Sequence, residues 1–330
     1  MKTTEYKPPF TMTEEITNLV IEIAELVGRV GADRTVQNSP MLRRENRIRS
    51  IHSSLAIEQN TLTLEQVSAV IDGKRVLGPP QDIQEVKNAF DAYARISSMD
   101  PYSLDSLLKA HKIMMQGLVH EAGVFRSSNV GVYAGAQLIH AGTPANYVPD
   151  LMAQLFDWLK ASTLHPLVKS CIFHYEFEFI HPFADGNGRM GRLWQTLILQ
   201  SWKEFFAWLP VETLIHEKQD GYYRALNAAN TEGESTVFVT FMLQIIRDAL
   251  TGIIESQSSD VGINVGLNVG INERVLSLIE QDSKSTAQRM AERLGVSQRQ
   301  VERALSTLKK EGRIIRQGSR KNGWWEVLNE

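Results

Sequence analysis

Between His181 and Arg192 the chain reads HPFADGNGRMGR, which gathers one imidazole, one carboxylate, three glycines, an asparagine and two arginines. Gly186 and Gly188 let successive backbone N–H groups converge where a loop empties into a helix N-terminus, whose unpaired donors and dipole favour an anion. That describes a phosphate cradle. Arg189 and Arg192, three apart, share one face of the first helical turn and could grip two groups of a polyphosphate. Asp185 is a hard oxygen ligand suited to holding Mg²⁺ against those groups, because magnesium keeps most of its waters and needs few protein ligands. His181, four residues earlier, is placed as a base, a role that contributes about 10²–10⁴-fold in rate. Phosphoryl or nucleotidyl transfer by in-line attack would follow, with backbone amides and Mg²⁺ stabilising the developing charge. The competing reading is a surface turn, since D-G-N-G is rich in turn formers. A turn does not need His, Asp, Asn and two spaced arginines together.

The elements that must position these residues read as helices. "EEITNLVIEIAELVGRV", "LMAQLFDWLKAS", "PLVKSCIFHYEFEFI" and "RLWQTLILQSW" place apolar residues three and four apart, with breaks at Gly, Pro and polar clusters. The pattern of the first 250 or so residues is all-α. The exception is Ser127 to Asp150, where alternation around Val130 and Val132, and again around Leu138 and Ile139, flanks the turn-forming "AGAQ". A short hairpin inserted in a helical domain is a candidate flap over a site.

The length of 330 residues suggests two compact units. Composition is that of a globular protein, and no apolar run is expected to approach the length that spans a bilayer. The N-terminus lacks the layout of a secretory signal, so the expected location is cytoplasmic, with no membrane partner. The single cysteine, Cys171, excludes an internal disulfide and a thiolate metal cluster, and its apolar surroundings point to core packing. His140, His165, His174 and His216 lack ligand spacing with a second His or Cys, so no zinc site is expected, and nothing points to flavin, nicotinamide or haem.

Charge is uneven. From Ile271 to Glu330 there are twelve Lys and Arg against eight Asp and Glu, so the tail carries +4 within a chain of net charge −3. The composition shifts at "ESQSSDVGINVGLNVGIN", read as a linker over 255–272. Beyond it three amphipathic segments, with Gly295 at a tight turn and Ser297 as an N-cap, precede "RIIRQG", "SRKN" and "GWWEV" as strand, turn and strand. That order is a winged helix-turn-helix over 273–330. Arg299, Arg303 and Lys310 on its third helix, with the basic wing near Trp324 and Trp325, make DNA a candidate partner; protein docking is the competing role of such a module.

HPFADGNGRMGR matches H-P-F-x-D-G-N-G-R-x-x-R at every fixed position and so resembles the Fic family, enzymes that transfer AMP from ATP to a protein hydroxyl. The resemblance covers roughly Arg43 to Leu250. It implies a Fic-type helical domain with a β-hairpin flap, divided here as an N-terminal helical region over 1–110 and a catalytic domain over 111–254. It implies His181 as the general base on a Ser, Thr or Tyr hydroxyl, Asp185 as the Mg²⁺ ligand, and Gly186 to Gly188 as the phosphate loop with Asn187 in contact. Arg189 and Arg192 would reach the β- and γ-phosphates, so that the whole run including Met190 and Gly191 belongs to the nucleotide site, while Phe183 anchors the loop in the core. "GYYRALNAANTEG" resembles the family's adenosine-facing helix, which implies Tyr222, Tyr223 and Asn230 around the nucleoside. "GVFRSSNVGVYAGAQ" resembles the segment entering the flap, where a target adds as an extra strand beside Val132 and Tyr133.

"SSLAIEQN" resembles the family's inhibitory-helix motif, [ST]-x-x-x-E-[GN], through Ser54 and Glu58 on a helix at about 45–60. In the family that glutamate pairs with the second motif arginine, here Arg192, and blocks a productive γ-phosphate position. Gln59 departs from the expected Gly or Asn. Related Doc toxins, which transfer phosphate, carry lysine at the second loop glycine; Gly188 favours AMP transfer, leaving AMP removal or phosphotransfer by the same site as alternatives. A nucleotide-responsive DNA-binding regulator is the alternative from a different class. Self-modification and a homodimer also remain open.

Overall fold

The computed structural model describes residues 6–32, 40–134, 137–141, 143–258, 272, 275–276, 278–279, 282–294, 296, 298–310, 312–317 and 323–328. The chain divides into two compact units, Met1–Ile254 and Glu255–Glu330. The first is helical: α1 (Glu14–Ala32), α2 (Pro40–Ile57), α3 (Leu64–Ile71), α4 (Pro80–Ala94), α5 (Leu104–Met114), α6 (Val148–Ala161), α7 (Pro166–Ile180), α8 (Asn187–Trp202), α9 (Val211–Glu217), α10 (Gln219–Glu232) and α11 (Thr236–Ser258). One antiparallel hairpin, β1 (Gly131–Ala134) and β2 (Gln137–Ala141), interrupts them, with an irregularity between Val132 and Tyr133. Gly135 and Ala136, the middle of the expected turn, lie outside the described residues.

The helix that ends at the site is buried over most of its surface, with apolar residues around its whole circumference and Lys169, His174 and Glu176 buried among them. Leu167, Val168, Cys171 and Ile172 of α7 enter one apolar cluster with α1, α10 and α11, while Phe173, Phe177 and Ile180 enter a second with α2, α4, α5 and α6. Fully burying a Leu, Ile or Phe contributes about 1.5–3 kcal/mol before chain entropy is subtracted. Packed from both sides, α7 is a rigid axis. It starts sharply, because Pro166 presets the first helical φ and His165 Nδ1 accepts from Leu167 N at 3.2 Å.

Two expectations change. Thr236–Glu255 is long and apolar enough to cross a membrane by length and composition. The run is interleaved with Thr240, Gln244, Arg247 and Asp248 at helical spacing, so it does not read as continuous, and Phe238, Val239, Met242, Leu243, Ile245 and Ile246 are fully buried in the core. In addition, α2, which carries Ser54 and ends one residue before Glu58, packs into the same unit as the loop-bearing helices, and α11 continues to Ser258, inside the stretch read as linker. Residues 259–271 of that stretch lie outside the described residues.

The second unit contains α12 (Ala287–Leu294), α13 (Gln298–Lys310) and the antiparallel pair β3 (Ile314–Gln317) and β4 (Trp324–Val327). Met290, Ala291, Val301, Ala304, Leu305, Leu308 and Ile314 form its core with Val275, Leu276, Leu278 and Ile279. This is a winged helix-turn-helix. Arg299 and Lys310 are exposed on α13, Arg303 is half-buried, and the Arg316 guanidinium lies 5.0 Å above the Trp325 ring. Gly295, Ser297 and the wing residues 319–322 lie outside the described residues.

Candidate functional site

The loop between α7 and α8 is built by its own sequence. Pro182 disfavours a helical residue before it, and His181 takes the left-handed conformation (φ 53°, ψ 63°) that often closes a helix, its N–H still bonded to Phe177 O at 2.9 Å. Gly186 reopens the chain at φ 83° as the N-cap of α8. That conformation favours glycine, and a Cβ there would stand 2.6 Å from Met115 Sδ, so the Met115 side chain would also have to shift. Phe183 is fully buried and stacks on His111 with ring centroids 3.6 Å apart.

Two polar pins fix the loop. Asn187 Nδ2 donates to Phe183 O, and Asn187 Oδ1 accepts from Phe183 N, both at 2.9 Å. Asn187, expected among the phosphate contacts, thus has both ends of its side chain engaged inside the loop. His111 Nδ1 accepts from Gly123 N at 2.9 Å, which leaves the ring proton on Nε2, facing Asp185 O at 3.0 Å. Burial pushes the His111 pKa down to about 4, so the ring is neutral. Sequence reading missed His111; its only signal was a polar residue on the apolar face of α5.

His181 is mostly buried, and its Nδ1 lies 3.4 Å from Glu178 O and 3.9 Å from Glu178 Oε2. Asp185 is half-exposed at the loop mouth, its Oδ1 accepting from Gly186 N at 2.6 Å and from Arg189 at 2.9 Å. Arg189 is buried between Asp185 and Glu85, the latter at 3.1 Å. Arg189, expected to reach a substrate phosphate, here also orients the Asp185 carboxylate. Met190 is fully buried, and Gly191 faces Glu178, whose Oε1 would be 2.8 Å from an added Cβ.

Arg192 is the pivot. Nε donates to Ser54 Oγ at 3.0 Å, and NH2 donates to Ser54 O at 2.9 Å and to Glu58 Oε1 at 2.8 Å. Burial opposes the charge, but Glu58, Tyr222 and Glu178 hold the guanidinium above its ordinary range. The expected pairing of Glu58 with Arg192 is present, and Ser54 adds its hydroxyl and its carbonyl to the same guanidinium. Glu58 Oε1 also lies where a side chain on Gly188 would be, 2.3 Å from an added Cβ, so the carboxylate fills the space over the loop. Its helix end is held by Gln219, which donates to Ile57 O at 3.3 Å, and by Asn60, which donates to Glu85 Oε2 at 2.8 Å. Gln59 keeps the turn at φ 69° despite its Cβ, with Asn60 N bonded to Leu55 O at 3.1 Å.

Tyr222 is buried, its hydroxyl 3.1 Å from His174 Nε2, while Tyr223 is half-buried beside it. Asn230 accepts from Tyr175 at 3.1 Å. His174 hands its other nitrogen to Gln195 at 2.7 Å, and burial lowers its pKa to about 3. Burial pushes the Cys171 thiol up to about 12, which suits a core residue. Val132 and Tyr133 lie on β1; their side chains are outside the described part of the chain. Glu178, unremarked in the sequence, has a buried Oε1 with no hydrogen-bond partner, and burial raises its pKa to about 8, with Arg192 lowering and Glu58 raising it.

The arrangement offers a base at a helix end, backbone donors at a helix start, a carboxylate at the mouth and an arginine occupied by an internal glutamate. The Fic/DOC family matches residues 101–199, and an HTH domain matches 272–324. Among solved structures, a Fic family protein from Desulfovibrio desulfuricans G20 is similar with TM-score 0.74 and 47% identity, over 98% of this chain and 99% of that one. Fic-1 of Caenorhabditis elegans (residues 134–508) is similar with TM-score 0.61 and 25% identity, over 74% and 72%. The protein adenylyltransferase fic-1 of C. elegans is 32% identical over 225 residues, 63% of this chain and 42% of its own length. The protein adenylyltransferase Fic of Nematostella vectensis is 29% identical over 232 residues, 66% and 51%. The chain therefore spans about half or less of the length of these curated relatives.

Proposed function

Because this chain belongs to the Fic family, we propose that it transfers AMP from ATP to a Ser, Thr or Tyr hydroxyl of a protein, and that Glu58 restrains the reaction. The observation that carries this reading is Arg192, buried beneath the loop with a fixed carboxylate on it and a base held one helix end away. His181 takes the hydroxyl proton, and the oxygen attacks the α-phosphorus. The bond to the β-phosphate breaks and pyrophosphate leaves. The contact of His181 Nδ1 with Glu178 O at 3.4 Å sets the orientation of the ring. The Asn187 and Gly188 amides at the start of α8 meet the developing charge.

Asp185 fits Mg²⁺, since a half-exposed carboxylate at the mouth of the loop suits an ion held jointly with substrate phosphates. When bound, Mg²⁺ would neutralise charge on those phosphates. Arg189 keeps Asp185 turned to the mouth. Arg192 becomes available to a terminal phosphate only when Glu58 leaves, and the hairpin offers an edge for a target strand.

The test is incubation of wild type, Glu58→Gly and His181→Ala with ATP carrying an α-label or a γ-label, with Mg²⁺ and a cell lysate. Transfer of the α-label, raised by Glu58→Gly and lost in His181→Ala, supports the reading. γ-Label transfer would make the chain a phosphotransferase, and no transfer to itself or to the lysate overturns the enzyme reading. The HTH match favours a second, compatible reading, DNA binding by the C-terminal unit. Binding to duplex DNA should then fall steeply with salt and weaken in Arg299→Ala.

A further inference from the structure

Arg126 is 2% exposed, and among the described residues no carboxylate pairs with it. A buried guanidinium without a counter-charge is costly, and burial lowers its pKa. Its donors are met by carbonyls from three separate segments. Nε donates to His181 O at 2.7 Å, NH1 to Ser128 O at 2.8 Å, and NH2 to Thr143 O and, at 3.4 Å, to Ile180 O. The Arg126 backbone N–H adds a bond to Pro182 O at 3.0 Å.

Ile180 and His181 supply the last carbonyls of α7, where the helix dipole favours a cation. Ser128 enters the hairpin and Thr143 leaves it. One planar fork thus joins both feet of the hairpin to the carbonyl of His181, the residue with left-handed backbone at the helix end. Turning the His181 peptide to relax that conformation would break the 2.7 Å bond. Asn129 ties the feet to each other as well, accepting from Ala145 N at 2.9 Å.

We propose that Arg126 is a positioning residue that locks the hairpin and His181 into one body, so that a hydroxyl presented along the hairpin meets the imidazole in register. The proposal rests on the AMP-transfer reading for its kinetic consequence only. Lysine, with one ammonium in place of a fork, cannot span the four carbonyls of these three segments, and methionine spans none.

The experiment compares Arg126→Lys and Arg126→Met in the Glu58→Gly full-length chain. Three quantities are read: kcat and KM for transfer to a protein hydroxyl, the Kd for ATP, and backbone amide exchange over 127–145 and 181–187. A misplacement of about 1 Å costs on the order of 100-fold, so kcat should fall about that much in Arg126→Met and less in Arg126→Lys, with ATP Kd within about 3-fold of the parent. Exchange should rise in both segments together. Unchanged kcat, equal losses of kcat and ATP affinity, or faster exchange in the hairpin alone would each overturn the proposal. If Arg126→Met does not fold, Arg126→Lys carries the same readouts. If the parent transfers no AMP, the reaction assigned above fails, and the paired exchange measurement still decides the role of Arg126.

Discussion

Replacing Glu58 in steps should release activity in steps. Glu58 Oε1 accepts from buried Arg192 NH2 at 2.8 Å, and Arg192 keeps two further bonds to Ser54 when that contact is lost. A hydrogen bond to a charged group contributes about 1.5–3 kcal/mol and a neutral one about 0.5–1.5 kcal/mol. The carboxylate is 30% exposed, which screens the pair and favours the lower half of that range. If the terminal phosphate of ATP must displace Glu58, Glu58→Gln returns about 1 kcal/mol and Glu58→Ala about 1.5–2 kcal/mol to ATP binding. At about 1.4 kcal/mol per decade these are roughly 5-fold and 10- to 30-fold gains. The assay is the initial rate of α-label incorporation at ATP far below half-saturation, where kcat/KM is read, together with the calorimetric Kd for ATP. The order wild type, Gln, Ala should appear in both. Equal rates in all three proteins, or faster transfer without tighter ATP binding, would refute displacement of Glu58 as the restraint.

Glu178, with its pKa raised to about 8 by burial, makes stability depend on pH. Between about pH 4.5 and 8 the folded state keeps a proton on Glu178 that the unfolded chain releases, so the Glu178 contribution to stability falls as pH rises, by up to ~1.4 kcal/mol per unit. Glu178→Gln should remove that slope, and parallel Tm profiles for the two proteins would contradict it. Gly186→Ala combines φ 83° with a 2.6 Å approach to Met115 Sδ and should lose about 1–3 kcal/mol and most α-label transfer, whereas Gly28→Ala, with open space around it, should be neutral or slightly stabilising. Gln59→Gly relieves a side chain at φ 69° and should raise Tm by about 1–4 °C with basal transfer unchanged. A lower Tm would show that the Gln59 side chain contributes more than its strain costs.

The readable part of the molecule is the part whose reasons are local. The helix Pro166–Ile180, its arrest at His-Pro and the glycine turn follow from periodicity and backbone rules that act within a few residues. The unread part depends on partners distant in sequence. Arg189 reads as a phosphate grip in sequence, and its hold by Glu85, 104 residues away, leaves no trace beside it. Asn187 reads as a polar loop residue, and only the folded loop turns both ends of its amide onto Phe183. Arg126 stands plainly in "GVFRSSN", yet its carbonyl partners at 143, 180 and 181 come together only through the fold. The Gln59 departure was visible in sequence; that the turn would persist required the surrounding bonds of Asn60 and Gln219.

The central claim is that the site breaks ATP between its α- and β-phosphates. The most direct measurement is the small-molecule product released by Glu58→Gly during modification of a protein acceptor. Pyrophosphate should appear in equal amount to protein-bound AMP, and both should vanish in the Glu58→Gly, His181→Ala double variant. Release of ADP with phosphate left on the protein, or products that persist without His181, would contradict it.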